Sequence, residues 1–473
     1  MTRSSRRSWL VASLTLSIVL ASISPARAAA TDRPNIVVIV TDDQRFDSMV
    51  AMPEVREAIG DHGITFGQAV VSNPLCCPSR AALLLGAYSH TSGVYTNEPR
   101  SGFGAWPAFV AAGNEEVTIA RALHDAGYRT ALFGKYFNEF TGLEAPVGWD
   151  RFAAFLDDPG GYYYDYSMLV DGPRGARVVR YGDAPSDYST NVIGAMAERF
   201  VRHSAGEQPF LLYLAPFAPH GRMIPAPRDV GTWSDHHAAM AANFNERDVS
   251  DKPAYLRGMP TYPVDRAREQ VRRSYETLAS VDRMVGDVVR LLAEEGELER
   301  TMIVFTSDNG KSRGEHRWAY KMTPHEESIR VPLVIRYDAL TGDRAGTATR
   351  ALVANVDIVP TIAELAGIDY TGVGTVDGRS LVPILRGDGG SVRDEVLLEH
   401  LDVPSIHRVP SYCGLRTRRY VFVRYATGEQ ELYDLALDPY ELENIAAEHP
   451  TLAGSFLDRT ASLCDPAPPR YAW

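Results

Sequence analysis

The sequence predicts an α/β fold with a large, mostly parallel sheet flanked by helices, followed by a small C-terminal α+β domain. Residues 36–40, 210–214 and 302–305 are short apolar runs, typical of strands buried on both faces of a parallel sheet. An amphipathic helical pattern precedes the third run, and strands that alternate with helices indicate a sheet covered on both faces. Near the C-terminus, two strand-like runs flank a short turn that contains glycine, which indicates an antiparallel hairpin.

The helical pattern before residue 302 is the clearest in the chain. Its apolar residues fall on one stripe: Leu278, Val281, Val285, Val288, Val289 and Leu292. Charged residues such as Asp282 and Arg290 lie off that stripe, as expected for a helix with one face on the core. The Glu-Glu-Gly sequence at 294–296 is expected to end this helix.

The glycine-rich stretch at 388–391 is the predicted domain junction. The predicted hairpin follows it, with strands at 420–425 and 431–434 and a turn at 426–428. We therefore predict a catalytic domain over 31–389 and a small α+β domain with an antiparallel sheet over 390–473.

Length and composition exclude several classes of protein. A chain of 473 residues suits two or three domains, or one large α/β domain with an appendage. With 45% apolar and 23% charged residues it is not a disordered chain. The 48 basic and 60 acidic residues give a net charge of −12, which disfavours a nucleic-acid partner. Four cysteines are too few for a scaffold built on disulfides.

Residues 1–28 resemble a cleaved export signal. Arg3, Arg6 and Arg7 precede an apolar run at 10–23, and Ala-Arg-Ala at 26–28 has the form of a cleavage site. The run is shorter than the roughly 20 residues that span a bilayer, so we expect no stable membrane span; a retained anchor is the alternative. The paired arginines favour the twin-arginine route. Removal of the signal would leave 44 basic and 60 acidic residues, a charge of 44 − 60 = −16.

Acidic pairs follow two of the predicted strands. Asp42 and Asp43 come after the first strand, and Asp308 and Asn309 come after the strand at 302. Ligand sites in open α/β sheets lie at the carboxyl ends of the strands. Carboxylate and amide oxygens suit a hard cation such as Ca²⁺ or Mg²⁺. The alternative is that both pairs are turn or helix-cap residues.

Residues 76–86 read Cys-Cys-Pro-Ser-Arg-Ala-Ala-Leu-Leu-Leu-Gly. This segment resembles the signature of the type I sulfatases, Cys-x-Pro-Ser-Arg followed by x-x-x-Leu-x-Gly. Cys76 occupies the position of the cysteine that these enzymes convert to Cα-formylglycine (3-oxoalanine). The alternative is a buried structural pair formed by Cys76 and Cys77.

The resemblance extends from about residue 33 to the last hundred residues. The segments that match family motifs are 33–44, 127–136, 218–220, 308–310, 321–333 and 431–441. The Cys-Cys-Pro-Ser-Arg form and the Gly-Lys-Tyr-x-Asn-Glu form at 134–139 look like the N-acetylglucosamine-6-sulfatase and extracellular heparan endosulfatase branch. The resemblance implies the alkaline-phosphatase-like fold, with a large mixed but mostly parallel sheet.

The resemblance also implies a mechanism and a role for each site residue. A formylglycine-generating enzyme would modify Cys76, and one hydroxyl of the hydrated aldehyde would attack sulfur. The second hydroxyl would then lose its proton, so that the aldehyde reforms and sulfate leaves. One Ca²⁺ would be held by Asp42, Asp43, Asp308, Asn309 and the oxygen of modified Cys76. Four further residues would orient the nucleophile (Arg80), bind sulfate (Lys135 and Lys321) and protonate the leaving oxygen as general acid (His220).

For these residues, a purely structural role is the alternative to a role in the site. Lys135 and Lys321 could be solvated surface lysines, and His220 could be a capping or structural histidine. His316 is a further candidate for the substrate pocket. The tyrosines at 162–164 and 166 could line a sugar site or pack a surface loop.

One position departs from the family pattern. Many sulfatases carry a histidine two residues after the signature lysine, and this chain has Phe137 there. Asn138 is the candidate to replace it. With Cys76 consumed by modification, the resemblance and an oxidising compartment favour a disulfide between Cys413 and Cys464, although four cysteines formally allow three connectivities.

The sequence therefore predicts an exported sulfuric ester hydrolase. Its expected substrate is a sulfated sugar such as N-acetylglucosamine-6-sulfate, or an aryl sulfate. Two alternatives stay open: a phosphatase or phosphodiesterase of the same superfamily, and a non-catalytic glycan-binding protein that has kept the fold.

Overall fold

The computed structural model describes residue 1 and residues 33–157, 161–236, 239–403, 409–465 and 467–473. The predicted export signal and its twin-arginine motif lie outside this part of the chain. The strands are β1 (Asn35–Thr41), β2 (Ile64–Val70), β3 (Arg129–Gly134), β4 (Arg151–Phe155), β5 (Ser167–Asp171), β6 (Arg177–Arg180), β7 (Phe210–Ala215), β8 (Thr301–Ser307), β9 (Leu333–Arg336), β10 (Thr347–Ala354), β11 (Glu395–His400), β12 (Tyr412–Thr417), β13 (Tyr420–Tyr425) and β14 (Gln430–Asp434).

The α-helices are α1 (Pro53–Ala58), α2 (Cys76–Leu85), α3 (Ser89–Ser92), α4 (Ala105–Ala111), α5 (Ile119–Asp125), α6 (Ser189–Ser204), α7 (Ala254–Arg257), α8 (Val264–Glu294), α9 (Glu326–Ile329), α10 (Asp338–Thr341), α11 (Ile358–Ala366), α12 (Val382–Arg386) and α13 (Pro450–Cys464). Among the described residues, no helix combines the length and the apolar character needed to cross a membrane.

The large sheet has ten strands in the order β10-β2-β9-β8-β1-β7-β3-β4-β5-β6. The central pairs β8–β1, β1–β7, β7–β3 and β3–β4 are parallel. Strand β9 runs antiparallel to both neighbours, as does β5, and the edge strand β6 runs antiparallel to β5. The predicted large, mixed and mostly parallel sheet is therefore confirmed.

Strand β1 shows why the central strands of the sheet are unbroken apolar runs in the amino-acid sequence. Ile36, Val38 and Val40 pack into the core on one face, while Val37 and Ile39 pack into the core on the other. Helices cover both faces of the sheet, so residues 36–40 are apolar throughout, and the buried polar residues at the two ends of the strand, Asn35 and Thr41, are hydrogen-bonded.

The long helix α8 contains the predicted apolar stripe but begins earlier than the pattern indicated. Its 31 residues start at Val264, directly after Pro263, and the carboxylate of Asp282 accepts hydrogen bonds from the backbone amides of Glu54 and Val55. The first two turns are largely solvated, so they carry no apolar stripe from which a start could be predicted.

The C-terminal part contains the predicted antiparallel sheet, with four strands in the order β11-β12-β13-β14, and helix α13 packed on it. A disulfide joins Cys413 of β12 to Cys464 at the end of α13. Side chains of this sheet share a core with residues of the large domain, including Val396 and Leu398 with Leu75 and Ile329. The domain boundary at 389/390 stays a prediction.

Candidate active site

The four central parallel strands deliver polar residues to one edge of the sheet. Strand β1 is followed by Asp42 and Asp43, β8 by Asp308, β3 by Lys135, and β7 by the loop that carries His220. The carboxyl ends of neighbouring parallel strands lie side by side, which brings these distant segments together.

Helix α2 carries the cysteine motif into the same place. Cys76 is its first residue, and Gly86 ends it in the left-handed conformation (φ +67°), where a Cβ would approach Val359 to 3.0 Å. All ten residues of the helix are buried. The glycine that closes the motif is therefore required by the turn that ends the helix, because other residues are strained there.

Two lysines connect Cys76 to the acidic residues. Lys321 Nζ lies 2.8 Å from Cys76 Sγ and 2.5 Å from Asp43 Oδ1. Lys135 Nζ lies 2.6 Å from Asp42 Oδ2, and Cys76 Sγ lies 3.5 Å from Asp42 Oδ1. Both lysines are buried, so the alternative that they are solvated surface lysines is wrong.

Arg80 is fully enclosed behind the cysteine. Its Nη2 lies 2.8 Å from Asp308 Oδ2, its Nε donates to the same oxygen at 3.0 Å, and its Nη1 donates to the carbonyl of Lys135 at 2.8 Å. These bonds fix the guanidinium between the ends of two strands, where it can orient a group at residue 76.

His220 lies on the loop after β7, following a cis Ala218–Pro219 bond. Its Nε2 is 3.6 Å from Asp43 Oδ2, and its carbonyl accepts a hydrogen bond from the Tyr163 hydroxyl at 2.9 Å. Tyr162 stacks on Phe217 with ring centroids 4.4 Å apart. Tyr162 and Tyr163 thus pack against the loop that holds His220. This agrees with the alternative that these tyrosines pack a loop rather than line a sugar site.

The cluster carries more positive than negative groups. Three carboxylates face four permanently cationic side chains: Asp42, Asp43, Asp308, Arg80, Lys135, Lys311 and Lys321. Lys311, which the motifs did not single out, lies 3.2 Å from Asp43 Oδ2. A site with this balance attracts an anion even though the whole chain is acidic.

The acidic residues are arranged as a cation site requires. Asp42, Asp43, Cys76 and His220 each offer a ligand atom, and these atoms lie within 4.8 Å of one another. The Oδ1 atom of Asn309 is buried and has no hydrogen-bond partner within the described residues. A divalent ion would satisfy it, so the residues present fit a hard divalent cation.

Burial and charge set the protonation of this cluster. Burial raises the pKa of the Cys76 thiol to about 11, and nearby Asp42 adds to the effect. Burial likewise raises the pKa of Asp308 to about 6. Burial lowers the pKa of His220 to about 4, against the opposing effect of Asp42 and Asp43. Burial alone would raise the pKa of Asp43, but Lys321 holds it well below its usual range.

A cleft of about 460 Å³ opens onto this cluster. Its lining includes residues with no motif signal in the sequence: Asn97, Glu98, Met259, Trp318 and Tyr320, in addition to Asn138, His220 and Lys321. Aromatic and polar side chains around one opening form the kind of surface that holds a small polar ligand. They come from several loops, so only the folded chain brings them together.

The candidate His316 and the position of the missing family histidine, Phe137, both lie away from this cleft. His316 has 0% exposure and faces Glu246 and Asn243. Phe137 is buried in an aromatic cluster, with its ring centroid 4.5 Å from that of Phe109. Asn138, the next residue, lines the cleft in its place and has a buried Oδ1 without a hydrogen-bond partner in the part of the chain described.

Comparison with known proteins agrees with this geometry. A family model described as Sulfatase matches residues 34–368, and one described as N-sulphoglucosamine sulphohydrolase, C-terminal, matches residues 314–453. The chain belongs to the sulfatase family. It is a sulfuric ester hydrolase, and the family implies a formylglycine and a divalent metal ion.

Human N-acetylglucosamine-6-sulfatase is 34% identical over 391 residues, which cover 79% of this chain and 68% of that protein. An extracellular sulfatase SULF-1 homolog of Drosophila melanogaster is 33% identical over 379 residues, which cover 78% of this chain and 33% of that protein. The chain thus spans about a third of the length of the fly protein. The predicted resemblance to this branch of the family is confirmed.

A solved structure of a protein in complex with its substrate D-glucosamine-2-N,6-O-disulfate aligns with a TM-score of 0.79. The alignment covers 91% of this chain and 97% of that chain, at 24% sequence identity. The similarity shows that the two chains share a fold.

Proposed function

We propose that this sulfatase removes sulfate from a sulfated sugar, with residue 76 as formylglycine. The observation that carries the proposal is the contact of Cys76 with Lys321 and Asp42 at the base of the cleft. A thiol whose pKa is raised to about 11 is a poor nucleophile at neutral pH. The site therefore suits a modified residue better than a catalytic thiolate.

The residues around position 76 have distinct roles in this proposal. Once converted, Cys76 would provide a hydrated aldehyde whose hydroxyl is the nucleophile toward sulfur. Asp42, Asp43, Asp308 and Asn309 would hold a divalent ion, Ca²⁺ in our proposal, which would supply Lewis-acid stabilisation of the sulfate oxygens. Arg80 keeps the nucleophile oriented through its bonds to Asp308 and the Lys135 carbonyl.

The remaining residues act on the ester. Lys135 and Lys321 neutralise charge on the sulfate oxygens as buried point charges. His220 holds the proton that the leaving oxygen takes. Its ring is neutral in the free site, because burial lowers its pKa. We propose that the bound sulfate ester supplies the negative charge that stabilises the protonated ring.

A sugar is favoured by the cleft and by the relatives. The volume of about 460 Å³ lies in the range of small-ligand pockets. The exposed ring of Tyr320 offers a face for a pyranose ring, and Asn97, Glu98 and Asn138 offer hydrogen bonds to hydroxyl or amide groups. The name of the human relative supports N-acetylglucosamine-6-sulfate as the first substrate to test.

Export is also part of the proposal. The disulfide between Cys413 and Cys464 is typical of an oxidising compartment, and the fly relative is named as extracellular. The twin-arginine route stays a prediction from residues 5–10.

Mass spectrometry of the tryptic peptide that contains residue 76, combined with a substrate panel, tests the proposal. We expect formylglycine in active enzyme, and faster hydrolysis of N-acetylglucosamine-6-sulfate than of an aryl sulfate or an aryl phosphate. An unmodified thiol in fully active enzyme would refute the chemistry. A preference for phosphate esters would favour the phosphatase alternative, and activity retained in Cys76→Ala would show that residue 76 is not the nucleophile.

A further inference from the structure

A second group of metal-ligating side chains lies outside the cleft. His316 follows β8, Glu327 belongs to α9, and Glu441 follows β14. One ligand atom from each lies within 4.8 Å of the others, and His316 and Glu441 have 0% exposure. We propose that these three residues form a second, structural site for a divalent transition-metal ion of the zinc class. This proposal is independent of the sulfatase site.

The charges of Glu327 and Glu441 favour a bound cation. Neighbouring carboxylates are already paired, Glu326 with Arg416 at 2.8 Å and Glu246 with Lys252 at 3.0 Å. Within the described ranges, neither Glu327 nor Glu441 has a lysine, arginine or histidine nitrogen inside the 4.0 Å of a salt bridge. Two ionised carboxylates this close together, with no ion pair to either of them, are unfavourable. A proton or a metal ion has to neutralise the pair.

Unpartnered oxygens favour the metal ion. Glu327 Oε2, Glu441 Oε1 and Asn243 Oδ1 are buried and, in the part of the chain described, accept no hydrogen bond. Asn243 is itself fully buried, and its Nδ2 lies 2.8 Å from Glu327 Oε1 and 3.1 Å from His316 Nε2. A proton shared by the two glutamates satisfies at most two of these oxygens, and it leaves the asparagine oxygen without a partner.

His316 is held as a ligand would be held. Its Nδ1 lies 2.6 Å from Glu246 Oε2, so Nδ1–H donates a hydrogen bond to the carboxylate and Nε2 keeps a lone pair. In metal sites a carboxylate behind a histidine fixes the tautomer in this way. Nε2 faces the Asn243 amide, and a half-turn of that amide exchanges its nitrogen for its unpartnered oxygen. Lone pairs of His316, Asn243 and the two glutamates then face the same space.

The ligand chemistry differs from that of the catalytic cluster. One imidazole nitrogen with carboxylate and amide oxygens suits Zn²⁺ or its spectroscopic substitute Co²⁺, whereas Ca²⁺ prefers oxygen alone. The site would join the loop that carries Lys321 to the segment after β14. Its role would be to hold that loop against the C-terminal part of the protein.

Metal analysis of the purified full-length enzyme tests this proposal. After chelation and removal of the chelator, we expect Co²⁺ to bind with a visible d–d absorption band in wild type and in Asp43→Asn, which weakens metal binding at the catalytic cluster. Glu327→Gln and Glu441→Gln, each made in the Asp43→Asn background, should weaken this binding at least tenfold and abolish the band. Glu364→Gln, on an exposed part of α11, is the matched control and should bind as wild type does.

The outcomes separate the two sites. Chelation should lower the Tm of Asp43→Asn, and Zn²⁺ should restore it, whereas the double variant Asp43→Asn/Glu327→Gln should show neither response. Absence of the cobalt band in both wild type and Asp43→Asn would overturn the proposal and leave a shared proton as the neutralising group. Cobalt binding by Asp43→Asn/Glu327→Gln equal to that of Asp43→Asn would overturn it too, and this double variant decides if the Glu441→Gln variant does not fold. Neither result would affect the sulfatase proposal, which is tested at residue 76.

Discussion

The Nζ atom of Lys321 lies 2.8 Å from Cys76 Sγ, although 245 positions separate the two residues in the sequence. The same ammonium group contacts Asp43. Lys321 therefore links the residue proposed as nucleophile to the acidic cluster, and it is placed to meet an oxygen of a group transferred to position 76.

Replacement of Lys321 should reduce catalysis without removing the fold. In Lys321→Met we expect kcat/KM to fall by about 10²-fold or more, since one preorganised positive charge at the reacting centre is lost. Steady-state kinetics on a sulfate ester measures this. Lys311→Met is the matched comparison, because Lys311 contacts Asp43 from a more exposed position and should have a smaller effect. Equal effects in both variants would contradict a specific role for Lys321.

The buried pair of Arg80 and Asp308 should be important for stability. Arg80→Ala leaves the Asp308 carboxylate buried and unpaired, which should cost about 3–5 kcal/mol in the free energy of unfolding. Urea denaturation gives the value. Arg290→Ala removes an exposed ion pair with Asp287 and should change stability by less than about 1 kcal/mol. A loss in Arg80→Ala as small as that of the control would refute the prediction.

Removal of the divalent ion should abolish activity. Chelator-treated enzyme should lose turnover and recover it with Ca²⁺, because the hydroxyl at position 76 and the sulfate oxygens need the Lewis acid. Activity assays across added metal ions measure this. Asp43→Asn should bind Ca²⁺ more weakly and need more of it for recovery. Full activity in excess chelator would exclude the proposed cation.

The contact between His90 and Glu399 should make stability depend on pH. Burial would lower the pKa of His90, but the hydrogen bond from the ring to Glu399 at 3.0 Å raises it above 6.5 overall. The contribution of this contact is therefore fully present below about pH 6.5, and it is lost as the pH rises through the higher pKa of the folded state. The destabilisation caused by His90→Gln should be larger at about pH 6 than at about pH 9.

Urea denaturation at both pH values measures that difference. A pH-independent effect of His90→Gln would show that the contact with Glu399 does not involve a charged ring.

The disulfide between Cys413 and Cys464 should stabilise the C-terminal sheet. The two cysteines are 51 positions apart, so loss of the bond should cost about 4 kcal/mol by loop-closure entropy. Cys413→Ser, Cys464→Ser and the double variant should lose similar amounts, since either single change breaks the bond. Urea denaturation measures this, and additive losses in the double variant would contradict it.

Much of the fold was predictable because a strand buried on both faces is a continuous apolar segment in the sequence. Residues 36–40 are apolar throughout since both faces of β1 contact a core, and this pattern is visible in one short segment. The start of α8 at Val264 was not predictable, because its first turns have no apolar stripe. The extent of an exposed helix depends on contacts that a local pattern does not contain.

The sequence by itself determined the family of this protein and the chemistry proposed for it, through a cysteine motif at 76–86, two acidic pairs, and lysines and a histidine in matching segments. It did so because the residues proposed for the reaction occur in short runs that match family motifs. Only the tertiary structure decided that Lys311 joins the acidic cluster, that Phe137 is a core residue, and that Trp318 and Tyr320 line the cleft. Parallel strands bring distant loops to one edge, and which side chains meet there depends on packing that no single segment encodes.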